Sequence, residues 1–189
     1  MNKTLTTPAG IARYPRLNSP DTKFSEEGQY KVDLEMSAED AEPFLKQIEG
    51  MFAEFLADKQ RELKKEKLKM HAPPWTDNDG LVQLKLKVKA TGKAKDGEVY
   101  SRKPKLFGAD GQLTSENVGG GSKLKVAVVP YFWYTASLGA GITLQPKAVQ
   151  ILDLVTWSSG GSAEAYGFEV TEAPKDVVRT GTNNDEVEW

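Results

Sequence analysis

The run Gly119-Gly-Gly-Ser-Lys-Leu-Lys-Val-Ala-Val-Val-Pro-Tyr-Phe-Trp-Tyr134 alternates every second residue, which is the periodicity of a β-strand. Leu124, Val126, Val128, Pro130, Phe132 and Tyr134 fall on one face, and Lys123, Lys125, Ala127, Val129, Tyr131 and Trp133 on the other. With the apolar face turned inward, two lysines and then two large aromatics are left outside. Rings among positive charges suit a single-stranded nucleic acid, because bases stack on the rings while the cations neutralise phosphates. The same run also fits a strand buried on both faces, in which Tyr131 and Trp133 belong to the core. The neighbouring segments bear on that choice.

Leu81 to Ala90 repeats the pattern. Val82, Leu84, Leu86, Val88 and Ala90 form one face; Gln83, Lys85, Lys87 and Lys89 form the other. Lysine on a strand also discourages edge-to-edge pairing, so this stripe alone does not specify a ligand. The next segment strengthens it. Lys93-Ala-Lys95-Asp-Gly97 reads as a basic hairpin turn, and Val99 to Phe107 adds Tyr100, Arg102, Lys103, Lys105 and Phe107. Basic and aromatic residues interleaved over two strands and their connection have the composition of a single-strand groove.

Charge is distributed accordingly. Residues 81–155 carry 11 Lys/Arg against 5 Asp/Glu, a net +6, whereas residues 1–80 stand at −3 and residues 156–189 at −5. A basic centre can hold an anionic ligand although the whole chain carries −2. With no cysteine there is neither disulfide nor thiolate chemistry, which fits a reducing compartment. His71 is the single histidine; the usual zinc sites and any Ser-His or Cys-His catalytic pair are excluded, and His71 reads as an inert linker residue. No cofactor or metal is expected. No run reaches the roughly 18–20 apolar residues of a membrane-spanning helix, and the first residues, Met-Asn-Lys-Thr-Leu-Thr-Thr-Pro, lack the apolar centre of a signal peptide.

The remaining segments supply a frame. Residues 4–17 predict one or two short strands interrupted by Pro8, Gly10 and Pro15, with Arg13, Tyr14 and Arg16 as a small basic-aromatic cluster. Asn18-Ser-Pro-Asp21 carries a turn signal. Gln29 to Met36 alternates as a strand. Ser37 then starts a helical region, about residues 37–70, with Asp40 in an imperfect capping box. Phe44, Leu45, Ile48, Phe52, Phe55, Leu56 and Leu63 recur at helical spacing, and Pro43 is expected in the first turn of the regular helix. Lys59 to Lys69 is almost wholly charged and is expected to project or fray. Asp77-Asn-Asp-Gly80 is not a calcium loop, since Trp75 and Leu86 stand where its first and last acids belong; Trp75 reads as either a lid on the core or a stacking residue. Gly119-Gly-Gly121 matches no phosphate loop and serves as a hinge or turn. A last strand, Ile142 to Trp157, reads as buried on both faces for much of its length. From Glu172 the composition predicts disorder.

About six strands, one helical insertion and no repeats predict a mainly β protein built as a small barrel. The patterns Thr7-Pro-Ala-Gly-Ile-Ala12, Phe24 through Gly28-Gln-Tyr-Lys-Val-Asp-Leu34, Gly121-Ser-Lys-Leu-Lys-Val126 and Leu144-Gln-Pro-Lys-Ala-Val-Gln-Ile-Leu152 resemble the phage single-stranded-DNA-binding proteins, over roughly residues 5–155. That resemblance implies an oligonucleotide/oligosaccharide-binding (OB) fold in residues 1–171 and an acidic tail in residues 172–189. It also implies non-catalytic, sequence-tolerant coating of single strands in phage replication, recombination or repair, in the cytoplasm of a bacterial host cell. Asp185, Glu186, Glu188 and Trp189 resemble the partner-binding tails of such proteins, with Trp in place of their usual final Phe; replication proteins would be the partners. Two other classes compete. A metal-dependent nuclease would need paired carboxylates, and none stands out among Asp96, Glu98, Asp110, Glu116 and Asp153. A protein-interaction module would use the same aromatics without the salt dependence of phosphate contacts.

Overall fold

The structure is a computed structural model that describes residues 3–156, all within one compact unit spanning Met1–Trp157. Its first part contains β1 (Leu5–Thr6), β2 (Gly10–Asp21), β3 (Gln29–Ser37) and helix α1 (Ala38–Leu63). Strands β4 (Trp75–Asn78), β5 (Leu81–Lys89), β6 (Thr91–Lys93), β7 (Val99–Ser101) and β8 (Lys105–Phe107) follow. Two long strands complete it, β9 (Lys123–Thr135) and β10 (Gly139–Asp153).

The alternating strands close around one core. They pair in the order β9-β2-β3-β5-β10, and β10 pairs back onto β9. The contact between β5 and β10 is parallel, in register at Leu86 and Leu144; the other pairs of the ring are antiparallel. Leu34, Leu84, Leu86, Leu124, Val126, Val128 and Leu144 are fully buried inside it. A closed five-strand barrel with this order is the OB fold, so the expected fold class is borne out. Closure removes the exposed edges that the central strands would otherwise offer.

The helix caps one end of the barrel. Ser37 Oγ accepts from the Asp40 backbone N–H at 3.1 Å and donates to Asp40 Oδ2 at 2.7 Å, which fixes the start one turn earlier than Pro43 suggests. Pro43 therefore lies inside the helix, where it forgoes one backbone bond. Burial of Ala41, Phe44, Ile48 and Phe52 against the barrel outweighs that loss. The charged end does not continue to residue 70: Lys64 takes the left-handed conformation and terminates the helix.

Three local expectations change. Asn18 to Asp21 is not a free turn; it continues β2 past an irregularity in its register with β3. Asn18 also pins the loop ahead of β9, accepting from the Val118 N–H at 3.0 Å and donating to the Glu116 carbonyl at 2.8 Å. Of Asp77-Asn-Asp-Gly80, the first two residues belong to β4 and Asp79-Gly80 form the hairpin turn into β5, both with the positive φ that such two-residue turns require. In β10 double burial is confined to Gly139–Ile142, after which buried and part-exposed residues mostly alternate, because only the barrel side remains covered. The domain boundary expected at residue 171 and the tail lie outside the described residues.

Candidate nucleic-acid interface

Parity along the strands decides what faces outward. Leu124, Val126 and Val128 of β9 point into the barrel, and Phe132 joins Phe52 and Phe55 of α1 with ring centroids 5.5 and 5.8 Å away. Tyr131 and Trp133 are consequently on the outer face, Tyr131 half exposed and Trp133 partly covered. The indole lies flat over Gly141 of β10, where a Cβ would stand 2.2 Å from Trp133 Cζ2. Trp133 Nε1–H donates to Thr143 Oγ1 at 3.2 Å, and His71 packs at a tilt against the ring, 5.2 Å between centroids. Only glycine at 141 leaves room for this arrangement, which holds the ring on the barrel surface rather than in its core.

The same parity extends across the sheet. Leu86 and Leu144 face inward as partners, so Lys85 and Lys87 of β5 lie outward beside Thr143 and Gln145 of β10. Thr143 is paired in turn with Tyr131 of β9. Arg102 is drawn onto this surface, its Nη2 donating to Gln145 Oε1 at 2.7 Å, while its buried Nε has no partner among the described residues. Lys85, Lys87, Arg102, Tyr131 and Trp133 thus form one patch. Lys89 continues the stripe at the end of β5, opposite Gln29.

A second group gathers farther along β10. Lys105 and Phe107 of β8 pair with Ala148 and Gln150, and Gln150 pairs with Lys125 of β9; Lys123 lies opposite Asp153. Leu106, Val126 and Val149 between them are buried, which turns Lys105, Phe107, Lys123 and Lys125 outward. Nine residues of β10 separate the partner of Trp133 from the partner of Lys125, roughly 30 Å at strand spacing. Exposed Lys147 sits between the groups at a bulge. The third group stands off the barrel: Lys93, Lys95 and Tyr100 belong to the separate β6–β7 hairpin, with the Tyr100 ring against Gly92. Lys103 is exposed in the link to β8.

Electrostatics favour an anion on this face. Among the described residues the ion pairs are Arg13–Glu35, Lys31–Asp21 and three on the helix; none engages the lysines of β5, the hairpin, β8 or β9. Burial raises the Asp33 carboxyl above the usual range, against the pull of Lys85 and Lys31. Lys31, 2.5 Å from Asp21, holds that carboxyl below it. Trp75 pairs with Leu84 and packs against the core, so it is a lid. His71, expected from the sequence to be an inert linker residue, instead packs against Trp133, and sequence reading passed over Lys147, whose bulge breaks the period-2 pattern that would have marked it.

An OB barrel with rings and unpaired cations on one outer face defines a class of oligonucleotide-binding domains. The family described as "Single-stranded DNA-binding protein, Bacteriophage T7" matches residues 9–154, and the chain belongs to that family. It is 32% identical to the single-stranded DNA-binding protein of Enterobacteria phage T3, over 99% of this chain and 91% of the relative. Identity to the single-stranded DNA-binding protein of Escherichia phage T7 is 38%, over 38% of this chain and 32% of that protein. Of solved structures, gp2.5, the single-stranded DNA-binding protein encoded by bacteriophage T7, superposes with a TM-score of 0.73 at 29% identity, covering 92% of this chain and 98% of gp2.5. The single-stranded DNA-binding protein of bacteriophage Enc34 in complex with ssDNA shares the fold, with a TM-score of 0.53, 15% identity, and 83% and 89% of the two chains covered.

Proposed function

We propose that this protein binds single-stranded DNA without chemistry and with little sequence preference, coating strands during phage replication, recombination or repair in the cytoplasm of a bacterial host. Membership of the family supports the ligand. The single observation that supports the site is Tyr131 and Trp133 beside Lys85, Lys87 and Arg102 on one outer face. Bases stack on the two rings, and phosphates are neutralised by cations that no carboxylate among the described residues pairs with. Lys105, Phe107, Lys123 and Lys125 extend the track along β10, while Lys93, Lys95 and Tyr100 reach it from the hairpin.

Titrating labelled oligo(dT) and a matched duplex at two salt concentrations tests this reading. Preferential single-strand binding that weakens steeply with salt is expected. No binding, or binding indifferent to salt, overturns it; cleavage of the oligonucleotide with Mg²⁺ present would replace it with a nuclease.

A further inference from the structure

A second aromatic-basic feature lies on β2, where that strand pairs with β3. At Tyr14 the register between β2 and β3 is irregular, and the residue takes a positive φ of 49°. This left-handed conformation is disfavoured for a bulky side chain. The bulge throws the ring outward, leaving it 78% exposed. Exposure of a large ring at a strained bulge gains nothing in packing, and bulges commonly re-aim side chains beside binding sites.

Tyr14 borders a cleft of about 680 Å³, a volume typical of ligand sites. Arg16, Lys23 and Lys31 line it against one carboxylate, Asp21, which Lys31 already engages. The opposite wall is the loop at Gly119 and Gly120, tied down by Asn18. Arg16 and Lys23 form no ion pair among the described residues. Loop residue Phe24, beyond Lys23, is 81% exposed with the ammonium 5.5 Å from its ring.

The cleft is continuous with the face described above. Arg16 pairs with Lys31, and Lys31 pairs with Lys87. Lys87 lies beside Gln145, which holds Arg102. Four cations therefore form a row at right angles to the strands, about 4.8 Å from one strand to the next. We propose that the Tyr14 cleft is a further single-strand subsite, which stacks a base on Tyr14 beside phosphates held by Arg16 and Lys23. The bound strand reaches it by crossing the barrel along Arg102, Lys87, Lys31 and Arg16. This rests on the single-strand-binding reading and adds the direction of the strand to it.

Tyr14→Gly is the informative variant, because glycine accepts the left-handed backbone and removes the ring alone. Its affinity is compared with that of the unaltered chain for oligo(dT) of about 4 to 16 nucleotides, the range covered by one such barrel. The shortest strands should bind both proteins equally. Longer ones should bind the variant about five- to hundredfold more weakly, the equivalent of one lost stacked base. Arg16→Gln should lower the salt slope by about 0.7, again for long strands only. Equal affinities at every length, while Trp133→Ala still weakens binding, overturn the subsite and leave the main face standing. Loss of all oligonucleotide binding by the unaltered chain overturns both. A change in sedimentation of the DNA-free protein on Tyr14→Gly would assign the surface to a second copy of the chain and overturn the proposal.

Discussion

Replacing Lys85, Lys87 and Lys89 together by glutamine tests whether the outer face of β5 meets phosphates. The three are exposed, alternate with buried Val82, Leu84, Leu86 and Val88, and form no ion pair among the described residues. Lys87 even lies opposite Lys31, a like-charge pair whose loss favours the folded state slightly. Exposed substitutions of this kind are each within about 0.5 kcal/mol, so the melting temperature should move by no more than about 6 °C. Binding should respond strongly. Each lost phosphate contact removes about 0.7 from the slope of log affinity on log salt, so three remove about 2. Between 50 and 200 mM salt, a fourfold change, the deficit of the variant should shrink about twentyfold. Anisotropy of labelled oligo(dT) across a NaCl series measures both slopes. Replacing Lys65 and Lys67, which are exposed beyond the end of the helix, should leave the slope unaltered. An unchanged slope in a folded triple variant would refute the assignment of this face.

Adjacent residues on opposite sides of β9 should separate binding from stability. Trp133→Ala should weaken oligo(dT) binding about five- to hundredfold at less than the roughly 3–5 kcal/mol cost of emptying a core aromatic site. Phe132→Ala, which removes a ring packed on Phe52 and Phe55, should do the reverse in denaturant titrations. Asp33→Asn should stabilise the protein at pH 7. Burial raises the folded-state pKa of Asp33, so the native form holds its proton more tightly than the unfolded chain does, and ionisation above the carboxylate range costs stability. Melting curves should show the gain vanish as pH falls through that range. Deleting residues Asn183 to Trp189 should tighten single-strand binding at low salt if the acidic end competes for the basic face, with the gain shrinking as salt screens it. Equal affinities at low salt would exclude that competition.

Much of this was decided locally. A pleated strand sends alternate side chains to opposite faces, so the outward position of Lys85, Lys87 and Lys89 follows from Leu81–Ala90 read alone. The run Lys123–Tyr134 puts Tyr131 and Trp133 on the face opposite Leu124 and Val126 without deciding whether that face is covered. Three- and four-residue spacing together with Ser37 and Asp40 was enough for the helix and its cap. Parity says which face a residue takes but not which strand lies beside it. Pairing of β5 with β10 joins residues far apart in the chain, and a one-residue slip would turn a whole strand inside out. Only the closed barrel sets Arg16, Lys31, Lys87 and Arg102 in one row and separates the Trp133 patch from the Lys125 group. Bulges are likewise invisible to periodicity, because the extra residue breaks the count it depends on. At Tyr14 and Lys147 tertiary structure alone determined what reaches the surface. The fit of Trp133 over Gly141 depends on contact between two strands, which neither strand encodes by itself.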